Sequence, residues 1–107
     1  MITPRGPVQP LGELAEALET TALACPGVVG LSGGRFGEVA TYLPGRRIRG
    51  VRVAGDQVEL HLVVVPDVPV WQTAARVLAE VAALAAPRRV HVVVADVADP
   101  AEPEEGP

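Results

Sequence analysis

The chain contains no lysine, and all nine of its basic residues are arginines. Aromatic residues are almost as scarce: Phe36, Tyr42 and Trp71 are the only ones, 3% of the chain. A core must therefore be built from Val, Leu and Ala, and its volume is modest. A domain of this size gains stability by burying surface against a copy of itself or a partner. The single cysteine, Cys25, excludes an internal disulfide and fits a reducing compartment. No apolar run reaches the roughly 18 residues of a membrane span. Met1–Pro7 lacks the apolar segment of a secretory signal, so a cytoplasmic location is expected. Motifs of catalysis are missing too. No glycine-rich loop ends in Lys-Ser/Thr, and no Ser-His-Asp set can be placed. His61 and His91 sit at polar positions of two strands that could be neighbours, but a closed zinc site needs four ligands. No enzyme activity, metal or cofactor is expected.

What is present divides into an arm, one domain and a tail. Residues 1–9, with Pro4 and Pro7, read as a flexible arm. Residues 10–97 read as a single domain, and residues 98–107 as a disordered, acidic, proline-rich tail. Leu11, Leu14, Ala15, Leu18, Ala22 and Cys25 recur at helical spacing, and Pro26-Gly27 ends that helix. On this stripe Cys25 reads as a buried thiol rather than a nucleophile. Val28–Leu31 is a short strand. Ile48–Val53 and Val58–Val65 alternate as a hairpin around Ala54–Gln57, with Val58, Leu60, Leu62 and Val64 on one face. Strict alternation places Arg49 and Arg52 on opposite faces. A second helix covers Val70–Ala85. Its apolar face is read as Trp71, Ala74, Ala75, Leu78, Ala82 and Ala85, widened by Val77, Val81 and Leu84. A helix apolar around so much of its circumference packs on two sides, and Trp71 is expected to be at least partly buried. Val90, Val92 and Val94 form a last strand that shares the apolar face of the hairpin. The expected fold is a two-layer α/β domain of the α+β kind. Both helices lie on one face of a small mixed sheet, in the order helix, strand, loop, hairpin, helix, strand.

The least generic stretch is Gly33–Arg47. It holds the only Phe and Tyr, and it opens into arginines. Residues 35–52 carry five arginines against Glu38 alone, while the rest of the chain carries four against twelve carboxylates. This basic island is a candidate docking surface for something negative, or a charged edge that keeps a strand soluble. Phe36, Val39, Tyr42 and Leu43 lie at near-helical offsets, so a short helical turn could display them together. Arg35, Arg46 and Arg47 would rim that apolar centre, with Glu38 shaping the loop. The interaction residues on this reading are Arg35, Phe36, Glu38, Tyr42, Leu43, Arg46 and Arg47. Phe36 and Tyr42 could equally fold back to cap the domain's own core. Gly34-Arg35-Phe36-Gly37 also has the GxxG spacing of the RNA-clamping loop of KH domains. A KH-like nucleic-acid-binding module using the Arg35–Arg52 island is the alternative reading.

Cys25-Pro26-Gly27-Val28-Val29-Gly30-Leu31, the run from Gly33 to Ile48, and Gly50-Val51-Arg52 resemble the actinobacterial branch of the alkaline-shock protein family, the envelope-stress-response proteins. The resemblance spans about residues 11–97. It implies a small, non-enzymatic cytosolic protein that self-associates. Some members collect at the inner face of the cell membrane by binding a separate, membrane-anchored relative. The implied partners are thus a second copy, a family paralogue or a membrane-anchored protein, and the implied setting is envelope or alkaline stress. The chain departs from better-known members in lacking a lysine-rich surface and in its short acidic tail.

Overall fold

The computed structural model describes residues 11–99. The expected arm at 1–9 and most of the expected tail at 98–107 lie outside them. The helix α1 spans Leu11–Ala24 and buries Leu14, Ala15, Leu18 and Ala22, with Cys25 closing the stripe. Strands follow at Val28–Leu31 (β1), Ala40–Leu43 (β2), Arg46–Arg49 (β3), Val51–Ala54 (β4) and Gln57–Val64 (β5). The helix α2 covers Val70–Ala85, and β6 covers Arg89–Val97.

The sheet is organised around β5. On one side β4 and β1 lie end to end, both antiparallel to it, with Val51 opposite Leu60 and Leu31 opposite Leu62. On the other side β6 runs parallel along its whole length, with Val58, Leu60 and Leu62 beside Val90, Val92 and Val94. The helix α2 is the crossover that parallel pairing demands. Val58, Leu60, Leu62 and Val64 are all fully buried in one cluster with the inner stripes of both helices. The two helices thus cover one sheet face, as the alternation of β5 predicts.

Three expectations are corrected. First, Gly33–Arg47 is not a loop with a helical turn. Ala40–Leu43 and Arg46–Arg49 pair as a second, two-stranded sheet, turning at Pro44-Gly45. Second, alternation does not run through Ile48–Val53. Gly50 has φ +87°, and this kink puts both Ile48 and Val51 in the core, three positions apart. Arg49 and Arg52 each follow a buried residue and both point away from the core, rather than to opposite faces of one strand. Third, α2 is rotated. Its buried residues are Thr73, Val77, Val81 and Ala85, while Trp71 is 70% exposed. The sequence offers α2 two apolar stripes. The one with shorter side chains lets the helix sit close on a sheet built of valine and leucine, and Thr73 nests against Gly27.

Candidate docking surface

Gly50 joins the two sheets. Its N–H donates to the Val39 carbonyl at 2.8 Å, and its carbonyl accepts from the His61 N–H at 3.0 Å. Thr41 Oγ1 donates to the Val51 carbonyl at 2.6 Å. The β2–β3 hairpin is thereby fixed across β4 and against α1. Cross-strand partners sort its side chains. Thr41 and Ile48 are paired, as are Leu43 and Arg46, and these look toward α1. Tyr42 and Arg47 are paired, as are Ala40 and Arg49, and these occupy the other face.

The seven predicted interaction residues are split by this pleat. Leu43 packs on the core, beside Gly12 of α1. Arg46 Nη1 lies 2.9 Å from Glu16 Oε2 and Nη2 lies 3.7 Å from Glu19 Oε1, so Arg46 ties the hairpin to α1. Tyr42, 69% exposed, stands with Arg47 on the outer face. The connection before β2 lies near it: Arg47 reaches over Gly37, and the stem of Arg49 lies over Gly33. That connection carries Arg35 and Phe36, both exposed, with Phe36 at 85%. Phe36 and Tyr42 therefore do not cap the core; Val39 and Leu43 turn inward instead.

Glu38 organises the turn. Its Oε1 accepts a 2.9 Å hydrogen bond from the Phe36 N–H. Hydrogen bonds from its own backbone N–H and from that of Phe36 hold its carboxyl below the usual glutamate range. The Gly37 N–H donates to the Gly34 carbonyl at 3.3 Å, closing a tight turn. The Gly34–Gly37 turn joins a strand to a strand, whereas the KH clamp joins two helices. Arg47 and Arg49 also line a shallow cavity of about 430 Å³ with Glu19, Leu23 and Val29.

Cys25 is buried, and its Sγ donates to the Thr21 carbonyl at 3.4 Å. Burial first, and then the charge of Glu80, pushes its thiol pKa up against a smaller opposing effect of Arg76. A raised thiol is a poor nucleophile. His61 sits 3.3 Å from Glu59 and stays largely covered, while His91 is exposed on β6. Among the described residues, no three His, Cys, Asp or Glu side chains gather as metal ligands would. No described helix is long and apolar enough to cross a membrane.

The apolar circumference of α2 predicts a second packing side, and Trp71 and Leu78 stand exposed on the helix. A surface with no signal in the sequence is the outer edge of β6, which pairs only with β5 among the described strands.

No protein family and no characterised protein matches this sequence. Among solved structures the fold is similar to the MamM CTD in a manganese form. The two share 16% identity over 85% of this chain and 86% of that one, at a TM-score of 0.44. A likeness of that degree carries no functional inference for this chain.

Proposed function

We propose that this is a non-enzymatic protein of the alkaline-shock, envelope-stress type that acts by self-association and by docking on a protein partner near the cell envelope. The observation that supports this reading is the outer face of the hairpin. The only Phe and the only Tyr both stand in solvent beside arginines, on backbone held by hydrogen bonds. Exposed aromatics rimmed by arginine are the composition of an interface centre. A folded domain with few aromatics would ordinarily bury them. The partner on this reading is a membrane-anchored protein or family paralogue, and the chain is peripheral to the inner face of the membrane.

The test is the Phe36→Ala/Tyr42→Ala variant, compared with the unaltered chain as a fluorescent fusion in cells and as purified protein. The variant should keep its melting midpoint but spread evenly through the cytoplasm where the unaltered chain collects at the membrane. Unchanged localisation in a folded variant would refute the docking role of this face.

A second reading is favoured by one observation. Arg35, Arg47, Arg49 and Arg52 are all exposed, so the basic island is accessible to phosphate. Nucleic-acid binding is separated from protein docking by its salt dependence.

A further inference from the structure

The strand β6 ends the sheet, and its outer backbone edge has no partner among the described residues. Natural edges are commonly blunted by lysine, proline or inward charges. Between Val90 and Ala95 this edge has none of these, and its only polar side chain is His91. Above it runs α2, which packs on β6 on one side of the molecule while α1 packs over β1 and β4 on the other. On α2, Trp71, Ala75, Leu78 and Ala82 fall at offsets of 0, 4, 7 and 11, one narrow stripe along the helix. All four are exposed, with Leu78 at 41%. The residues of α2 that look toward α1 are Arg76, Glu80 and Leu84. The apolar stripe therefore lies on the flank away from α1, over the free edge of β6.

We propose that this edge and stripe together are the docking surface for a second copy of the chain, joined across a two-fold axis. The inference rests on the self-association reading above and deepens it by assigning the surface. Two β6 strands pair antiparallel, the sheet runs on through both protomers, and the two α2 helices pack side by side on the same layer. Leu78 lies near the middle of α2 and Val92 near the middle of β6, so one axis serves both.

Charge complementarity selects the second copy over another occupant. Arg89 opens β6 and Asp96 stands near its end. Arg89 pairs beside Gln57, on the sheet face away from the helices. In a regular strand, Asp96 would point to the opposite face. The register shifts after Leu62, however. Leu62 lies beside Val94 and Val63 beside Asp96, so Ala95 is an extra residue. The bulge turns Asp96 to the same face as Arg89. With the bulge counted as one position, an antiparallel pair centred on Val92 then sets Arg89 of each protomer against Asp96 of the other, twice. An edge that is basic at one end and acidic at the other is complementary to itself only in this antiparallel sense.

The test uses the full chain. Trp71 is the only tryptophan, so its emission should shift to the blue as concentration rises, in step with a monomer–dimer transition in sedimentation. Leu78→Glu should weaken the dimer at least about thirtyfold, the scale of a central interface residue. Arg89→Glu and Asp96→Arg should each weaken it at least about tenfold alone. An equimolar mixture of those two variants should dimerise again, since both contacts between unlike chains are then opposite in sign. Phe36→Ala/Tyr42→Ala should dimerise as the unaltered chain does. A chain that stays monomeric at all concentrations overturns the proposal and leaves the hairpin's docking role to its own test. A dimer that survives Leu78→Glu but is lost in Phe36→Ala/Tyr42→Ala also overturns it, while self-association stands. Failure of the mixture to restore a dimer overturns the antiparallel pairing.

Discussion

Gly50 and Glu38 each hold a piece of the hairpin's surroundings by one local feature. A Cβ at Gly50 would stand 2.5 Å from the Leu31 Cβ and 3.2 Å from the Ser32 nitrogen, in a backbone conformation that L-residues rarely adopt. The backbone strain alone is about 1–3 kcal/mol. Gly50→Ala should therefore lower the stability read from denaturant unfolding by at least that much, since rigid neighbours must also move. An unchanged midpoint would mean that the two sheets are not locked through this residue. Glu38 gives a pH dependence. Its folded pKa is lowered, so its contribution is present above the ordinary glutamate value and is lost as pH falls through the folded one. The Phe36 amide resonance should shift in that acid window, and Glu38→Gln should abolish the titration while the β5 core resonances stay in place. A flat Phe36 amide in the unaltered chain would show that the turn is not held by this carboxylate. Arg46, by contrast, makes surface ion pairs of the kind worth at most about 1 kcal/mol.

Among the elements, α1 and β5 are those whose single apolar phase leaves one way to pack. Leu60→Ala, at the centre of β5, should cost about 2–5 kcal/mol. Trp71→Ala should change the stability of the monomer by no more than about 0.5 kcal/mol, because its side chain leaves little contact behind. Thermal unfolding of both variants at concentrations too low for association checks the pair; a large loss for Trp71→Ala would mean that α2 packs through the stripe first expected. This contrast also explains what was legible. The alternation of β5, the shared phase of Val90, Val92 and Val94, and the Pro26-Gly27 stop were readable because each is a local pattern with one solution. The burial face of α2 was not, since two apolar stripes compete and only the sheet's shape decides between them. Nor was β2: Phe36, Val39, Tyr42 and Leu43 fit a helical turn by spacing, while the bond from Thr41 to Val51 that fixes the strand joins residues ten apart. The alternation from Ile48 to Val53 failed at Gly50, where a positive φ resets the phase. In the docking surface, the exposed aromatics were readable as residue types, but their sorting from Leu43 and Arg46 needed the cross-strand register.

At the scale of the whole molecule, charge separates the two readings of the hairpin. The chain carries a formal −4, yet five of its nine arginines lie between residues 35 and 52. That concentration is smaller in space than in sequence, because Arg46 faces Glu16 and Glu19 of α1. Four exposed arginines remain, and Glu38 lies among them. A surface that held single-stranded nucleic acid by these groups would release counterions on binding. Its affinity would then fall steeply with salt, with a logarithmic slope of about −0.7 for each phosphate neutralised. Few neutralised phosphates and an overall acidic chain predict weak binding at low salt and none retained at physiological salt. Docking through Phe36 and Tyr42 buries apolar surface and depends little on ionic strength. Titrating the protein into labelled single-stranded RNA, with and without Arg47→Ala/Arg49→Ala, decides between them. The expected result is binding that vanishes below physiological salt in both proteins, while association through the aromatics persists. Tight binding at physiological salt, lost in the double-arginine variant and indifferent to Phe36→Ala/Tyr42→Ala, would make the hairpin a nucleic-acid surface, with its aromatics incidental.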